Sequence, residues 1–227
     1  MPIRRRILVF DVNETMLNVD ALTPLFIEGF GRGDAVREWF TTVLHYSTVA
    51  TLAGPYAQFG AIADAALTML AESRNVSLSP VLHGRILDGL RSLPAHADVR
   101  PALENLRRFG FRLVTLTNSA STAVAQQLSS AGLADCFERS FSVDEVRRFK
   151  PAPEPYQHVA KELGVAVGDL RLVAAHAWDV VGALRAGCAA AFVARPGKVL
   201  YPLAPSPDIV AADCLAVARV IIERDGQ

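Results

Sequence analysis

An excess of charge of either sign is missing from this chain: 23 lysines and arginines balance 23 aspartates and glutamates over 227 residues. A neutral chain lacks the basic footprint of a nucleic-acid binder and the polybasic surface that holds a protein on anionic lipid, so neither partner is expected. Long apolar runs are also missing; nothing approaches the roughly 18 residues needed to span a bilayer. After the basic run Arg4 to Arg6, only Ile7 to Phe10 are apolar before Asp11. That falls short of the roughly 7–15 apolar residues of a secretory signal, and a cytoplasmic location is expected. Cysteine is scarce: Cys136, Cys188 and Cys214 are odd in number and lack metal-ligand spacing, which argues against a zinc site or a disulfide framework. Cys188, inside Ala-Gly-Cys-Ala-Ala-Ala, reads as a small buried hydrophobe. Repeats and low-complexity segments are absent. What is plentiful is apolar material, 51% of residues against 20% charged, ample for a packed core. The length suits one sizeable α/β core with an insertion, or a single large domain, and the expectation is a globular protein acting on a small molecule.

Along the chain, Ile7-Leu8-Val9-Phe10 is too short for a helix and suits a strand buried on both faces. From Asp20 to about Leu93 the texture is helical. Thr23-Pro24 and Ser79-Pro80 each place a capping hydroxyl before a proline fit for the first helical turn. Trp39, Phe40, Val43 and Leu44, then Ala61, Ala65, Leu67 and Leu70, recur at helical spacing, which predicts three or four helices and no strand. After Pro94 strands and helices alternate. Strands are predicted over Phe111 to Leu116, near Phe141, over Leu170 to Ala175 and over Ala190 to Ala194. Helices are predicted over Pro101 to Phe109, Ala120 to Ala131, Pro155 to Leu163, Val180 to Ala186 and Cys214 to Glu223. Such alternation predicts a doubly wound parallel sheet with right-handed crossovers. The helical block is then an insertion: residues 1–16 with 97–227 form a Rossmann-like core, and residues 17–96 form a helical cap.

In open α/β sheets, ligands bind at the carboxyl edge of the strands. Four polar stations fall there: Asp11 after the first strand, Thr117-Asn118 after the second, Lys150 after the Phe141 region, and Asp179 after Val173. Each alone has an ordinary reading. Asp11 and Asp179 could cap a turn or helix, Asn118 could be a turn residue, and Lys150 could belong to a solvated charge run. Four in order at four strand ends, with a cap inserted after the first, point to a site.

The segments Phe10-Asp11-Val12-Asn13-Glu14-Thr15, Leu116-Thr117-Asn118-Ser119, Lys150-Pro151-Ala152-Pro153-Glu154-Pro155-Tyr156 and Ala174-Ala175-His176-Ala177-Trp178-Asp179 resemble the haloacid dehalogenase superfamily. Over its whole length the chain is similar to the type II 2-haloacid dehalogenase branch. That resemblance implies a Rossmann-like core with a helical cap, Asp11 as nucleophile, and an aspartyl ester hydrolysed by water. A carboxylate serves as nucleophile if it is ionised, desolvated and held by a cation, and Lys150 is the cation that would hold Asp11 and Asp179 ionised together. Thr15, Thr117 and Asn118 would donate hydrogen bonds to Asp11 and to a substrate carboxylate, and Asp179 with His176 would orient or deprotonate the water. Tyr156 resembles a family tyrosine near the substrate, with a core aromatic as the alternative. The implied substrate is a small halogenated carboxylic acid, with no cofactor and no metal, and a homodimer through the cap helices is a further implication.

Two departures qualify the resemblance. Phosphatases of the superfamily carry a second aspartate two residues beyond the nucleophile, which protonates the alkoxide leaving group. Here that position is Asn13, a loss that a halide, leaving as a weak base, tolerates. In the type II branch a cap arginine following an aromatic residue receives the halide. The corresponding segment is Arg37-Glu38-Trp39-Phe40, with Phe40 in the arginine's place. Trp39 could offer its indole N–H to a halide, and Arg37 or His45 could approach from another turn, cap packing or surface being the alternative for each. A small residue and an asparagine that assist the water are replaced by Ala174 and His176. The leading expectation is hydrolytic dehalogenation of a small 2-haloacid. The alternatives are hydrolysis of another small electrophile by the same machinery, and a non-catalytic or regulatory binding protein.

Overall fold

In the computed structural model, which describes residues 5–226, six parallel strands form one sheet in the order β3-β2-β1-β4-β5-β6. These are β1 (Ile7–Phe10), β2 (Leu113–Thr117), β3 (Arg139–Ser142), β4 (Leu170–Ala174), β5 (Ala189–Val193) and β6 (Ile209–Ala211). The four apolar residues of β1 are all buried, as its central place between β2 and β4 requires. Each buried leucine or phenylalanine there contributes roughly 1.5–3 kcal/mol. Because the winding reverses on either side of β1, the loop after Phe10 opens at the switch point, where an α/β sheet leaves a crevice. Arg5 and Arg6 anchor the opposite end of the sheet through Gly226, Gly168 and Asp225, and Arg4 lies outside the described residues.

Helices α1 (Thr23–Phe30), α2 (Ala35–Ala53), α3 (Phe59–Ser73) and α4 (Pro80–Leu90) form the insertion between β1 and the next core helix, α5 (Val99–Arg108). The chain leaves and re-enters through two adjacent segments: Asn18 N–H donates to Pro94 O at 2.8 Å, and His96 N–H to Met16 O at 2.9 Å. Ser79 caps α4 as expected, accepting from Leu82 N–H at 3.2 Å. Thr23 does not cap α1; it lies inside the helix, which Leu22 precedes without a side-chain bond. The insertion also rests on the core. Tyr56 stacks on Phe149 at 5.1 Å, and Thr51 accepts from the Phe149 N–H at 3.0 Å.

The core helices are completed by α6 (Ser121–Ser130), α7 (Pro153–Leu163), α8 (Ala177–Ala186) and α9 (Cys214–Asp225). Strand β6 was not expected: it has three residues, of which only Ile209 is buried, too little for an apolar run to register. Cys188 is buried, as expected, and so are Cys136 and Cys214. Among the described residues no helix is long and apolar enough to cross a membrane.

Candidate active site

Parallel strands bring all their carboxyl ends to one edge, and the polar stations meet there. Lys150 follows the turn after β3, and its side chain is fully buried. Its ammonium donates to Asp11 Oδ1 at 2.8 Å, Asp179 Oδ2 at 2.5 Å and Leu116 O at 3.0 Å, so all three of its protons have acceptors. Burial works against the ammonium, but the two carboxylates outweigh it and raise the Lys150 pKa above its ordinary value. Burial likewise pushes the Asp11 carboxyl up, and Lys150 and His176 more than reverse that, holding it well below the usual carboxylate range. Asp179 goes the other way: burial and the charge of Asp11 raise its pKa despite Lys150.

Asp179 stands in the first turn of α8 with both oxygens engaged, since Tyr156 donates its hydroxyl to Oδ1 at 2.5 Å. Gly182, one turn further along α8, makes that contact possible. A Cβ there would lie 2.7 Å from the Tyr156 hydroxyl and 2.6 Å from Pro151 Cβ. On the other side of Asp11, Oδ2 accepts from the Thr15 hydroxyl at 2.6 Å and lies 3.2 Å from His176 Nδ1. Thr15 Oγ1 itself accepts from the Ala175 N–H at 2.8 Å, which fixes the direction of its proton. His176 Nε2 lies 2.7 Å from Glu14 Oε2, and Lys198 Nζ 2.8 Å from Glu14 Oε1. Burial disfavours the His176 cation, but hydrogen bonds to Asp11 and Glu14 and their charges raise its pKa to about 9.

Above this array lies a cavity of about 840 Å³. Asn118, Lys150, Ala175 and His176 form its floor, with Phe40, Leu44 and Trp178 as apolar walls and Asp20, Arg37, His45 and Lys198 among its polar groups. Asp11 lies directly behind the floor, in contact with Lys150 and His176, with 6% of its side chain accessible. Asn118 Oδ1 accepts from the Lys150 N–H at 3.1 Å, which directs its amide N–H₂ elsewhere. Among the described residues no group of three metal-ligating side chains is assembled.

The structure therefore brings together Asp11, Thr15, Asn118, Lys150, Tyr156, His176 and Asp179, and corrects several expectations. Trp39 is fully buried inside the cap, its indole N–H donating to Ala63 O at 2.9 Å and its ring against Phe26 at 5.3 Å, so it has no proton for a halide. Phe40 does line the cavity, as an apolar wall. Thr117 turns its hydroxyl to the Ser119 N–H at 3.1 Å and does not reach the cavity. Tyr156 is buried behind Asp179 and touches that carboxylate, not the cavity. His176 has a carboxylate at each ring nitrogen, Asp11 on Nδ1 and Glu14 on Nε2, which favours its protonated form and disfavours a role as base toward water. Arg37 lines the cavity but is paired with Asp20 at 3.1 Å; His45 lines it as well. Asn13 is held away from the cavity, donating to Ser119 Oγ at 3.1 Å and accepting from Gln127 at 3.0 Å.

Sequence reasoning missed Glu14 and Arg195. Glu14 stood inside a quoted motif, but its φ of 61°, which aims it at His176, leaves no trace in composition. Arg195, after β5, donates to Thr15 O at 2.8 Å and to Asp98 at 3.0 Å, tying the loop after β1 to the start of α5.

A family model described as haloacid dehalogenase-like hydrolase matches residues 6–187. An (S)-2-haloacid dehalogenase of Pseudomonas sp. (strain YL) is 26% identical over 94% of this chain and 93% of its own length. The (S)-2-haloacid dehalogenase 1 of Pseudomonas sp. (strain CBS-3) is 31% identical over 78% of this chain and 79% of its own. In three dimensions the chain is similar to L-2-haloacid dehalogenase from Xanthobacter autotrophicus with chloropropionic acid covalently bound. The TM-score is 0.90 at 24% identity, over 97% of this chain and 99% of that one, a likeness of fold.

Proposed function

Because the chain belongs to the haloacid dehalogenase-like hydrolases, we propose that it replaces the halogen of a small (S)-2-haloacid by hydroxyl through an ester on Asp11. The single observation that carries this reading is the buried ammonium of Lys150 shared by Asp11 and Asp179 at the floor of a largely apolar cavity. It keeps the Asp11 carboxylate ionised though nearly dry, the condition under which a weak nucleophile attacks carbon. The (S)-2-haloacid specificity of the two Pseudomonas relatives supports the substrate class. The amide N–H₂ of Asn118 suits a substrate carboxylate, while Phe40, Leu44 and Trp178 suit the alkyl chain and the departing halogen.

In the first step Asp11 displaces the halide, which leaves with the bonding electrons and needs no proton. In the second, water attacks the ester carbonyl. Asp179 takes the water proton, a task to which its raised pKa is suited and for which each of its oxygens keeps a second lone pair. Tyr156 orients Asp179. A phosphate ester would need an acid where Asn13 stands, and Asn13 is bound to Ser119 and Gln127. We take residues 17–96 as the cap and the remainder as the catalytic core, and the location as cytoplasmic. A homodimer is part of this reading; Tyr46, Leu52 and Met69 offer it an exposed apolar surface on α2 and α3.

The test is release of halide and 2-hydroxyacid from chloro-, bromo- and fluoroacetate and from both enantiomers of 2-chloropropionate, before and after exhaustive chelation. The expected result is equal yields of both products from at least one (S)- or achiral haloacid, untouched by chelator. No halide from any of them, or halide only after added magnesium, would overturn the reading.

A further inference from the structure

The two oxygens of Asp11 are held differently. Oδ1 accepts one bond, from Lys150, whereas Oδ2 accepts from the Thr15 hydroxyl at 2.6 Å and faces His176 Nδ1 at 3.2 Å. The donor identities follow from geometry. Thr15 Oγ1 is already an acceptor for Ala175 N–H, so its own proton points at Oδ2. His176 has a carboxylate at each ring nitrogen, Asp11 on Nδ1 and Glu14 on Nε2, and ionised carboxylates only accept. Both nitrogens therefore carry protons, and the ring is an imidazolium. Trp178 stacks on it at 4.9 Å, as suits a cation on an indole face.

We infer that the Thr15 hydroxyl and the His176 imidazolium form an oxyanion hole around Asp11 Oδ2, with Glu14 as the positioning residue that keeps His176 in place. The inference rests on the ester reading above. Oδ1, with the freer lone pairs, is the attacking atom: its bond to the substrate carbon forms as the carbon–halogen bond breaks. Oδ2 is then the carbonyl oxygen of the ester. When water adds to Cγ, the π electrons move onto Oδ2, where two donors already wait, while the water proton passes to Asp179. Collapse breaks the Cγ–Oδ1 bond, the alkoxide recovers the proton from Asp179, and the regenerated carboxyl of Asp11 releases its proton to solvent. Overall, water and the haloacid give the hydroxyacid, halide and one proton. His176 gives up no proton in this scheme, in contrast to a general base.

Glu14 bears the mark of a functional constraint, since a non-glycine residue at φ 61° is strained by about 1 kcal/mol or more. Its carboxylate is held by Lys198 and also feels His176. The groups that face His176 are thus Asp11 at the end of β1, Glu14 and Thr15 in the loop beyond, and Trp178 on α8. Lys150 and Lys198 act on it through the two carboxylates.

The experiment follows formation and decay of the Asp11 ester by rapid quench and intact-protein mass spectrometry from pH 6 to 10.5, with (S)-2-chloropropionate as the probe. In the unaltered enzyme, ester decay should fall on the alkaline side as His176 loses its proton, with a midpoint below the value of about 9 in the free enzyme, because esterification removes the charge of Asp11. His176→Gln should slow decay about 10²–10³-fold, the range for one lost oxyanion donor, so that ester accumulates, and should abolish the alkaline limb. Glu14→Gln should move that limb to still lower pH, because the carboxylate that continues to face His176 in the ester is gone. A purely structural role would lower the amplitude and leave the midpoint unmoved. Thermal melts establish that each variant is folded. Trapped ester whose decay in His176→Gln matches the unaltered enzyme, or an unmoved midpoint in Glu14→Gln, would overturn this inference and leave the ester reading standing. Halide release with no ester trapped in any variant would overturn both.

Discussion

Replacing Lys150 by methionine removes one charge from a site that has two carboxylates and very little water. In the intact protein the ammonium sits 2.8 Å from Asp11 and 2.5 Å from Asp179. Without it the carboxylates face each other across the space the ammonium filled. At about 5 Å and an effective dielectric near 20, their repulsion is roughly 3 kcal/mol, equivalent to about 2 pKa units. Burial adds to that in the same direction, so one carboxyl keeps a proton near neutrality. Thr15 and His176 still hold Asp11 ionised, so the proton settles on Asp179 and the base for ester hydrolysis is quenched in much of the population. Lys150→Met should therefore lose on the order of 100-fold or more in kcat at pH 7, and the acid limb of kcat should move up by about two pH units. Loss of one partner from this buried pair should also destabilise the fold by about 3–5 kcal/mol where both carboxylates are ionised. Halide release measured from pH 4 to 10, with a melting curve at each pH, reads both effects. A folded Lys150→Met enzyme whose acid limb lies where the unaltered enzyme has it would refute the reasoning, because the carboxylate pair would then owe nothing to Lys150.

Asp179→Asn should spare halide release in a first turnover and stall hydrolysis, so ester accumulates in a rapid-quench experiment; full steady-state turnover would remove Asp179 from the second step. Trp39→Phe should lower stability by about 1–3 kcal/mol, since it leaves the Ala63 carbonyl unpaired in the cap, while kcat/KM below the melting range stays within about twofold. A selective loss of halide release in that variant would return Trp39 to the site. The His176 pKa in the fold, about 9, lies above its ordinary 6.5. Its contribution, about 3 kcal/mol, is complete below the ordinary value and is lost as pH rises through the folded one. Denaturant unfolding should show stability falling between pH 7 and 10, and much less so in His176→Asn; an equal fall in both would assign it elsewhere.

The fold was legible because its signals are local. Ile7 to Phe10 is apolar throughout and lies at the centre of the sheet, and the strand–helix alternation after Pro94 appears in the observed order. The edge strand Ile209–Ala211 was not, because an edge buries one residue in three. For the site, order along the chain placed Asp11, Asn118, Lys150 and Asp179 at one sheet edge, since parallel strands must present their carboxyl ends together. What could not be read was where side chains turn once they arrive. Thr117 and Asn118 are neighbours, yet one bonds within its own turn and the other lines the cavity. Trp39 and Phe40 are neighbours too, and helical geometry sends one into the cap core and the other to the cavity wall. The charge on His176 depends on Glu14, whose aim is set by a left-handed backbone that no residue-type pattern announces.

The central claim is that Asp11, and not water, makes the first bond to the substrate. One turnover in heavy-oxygen water, with enzyme in excess over haloacid, tests it directly. If the Asp11 ester forms and water attacks Cγ, the hydroxyacid leaves with an ordinary oxygen from Asp11, and the peptide containing Asp11 gains the heavy one. In later turnovers the product becomes labelled as the exchanged carboxylate is used again. Heavy oxygen in the product of the first turnover, with Asp11 unlabelled, would mean that water displaces the halide itself, and the account built on Asp11 and Lys150 would be wrong.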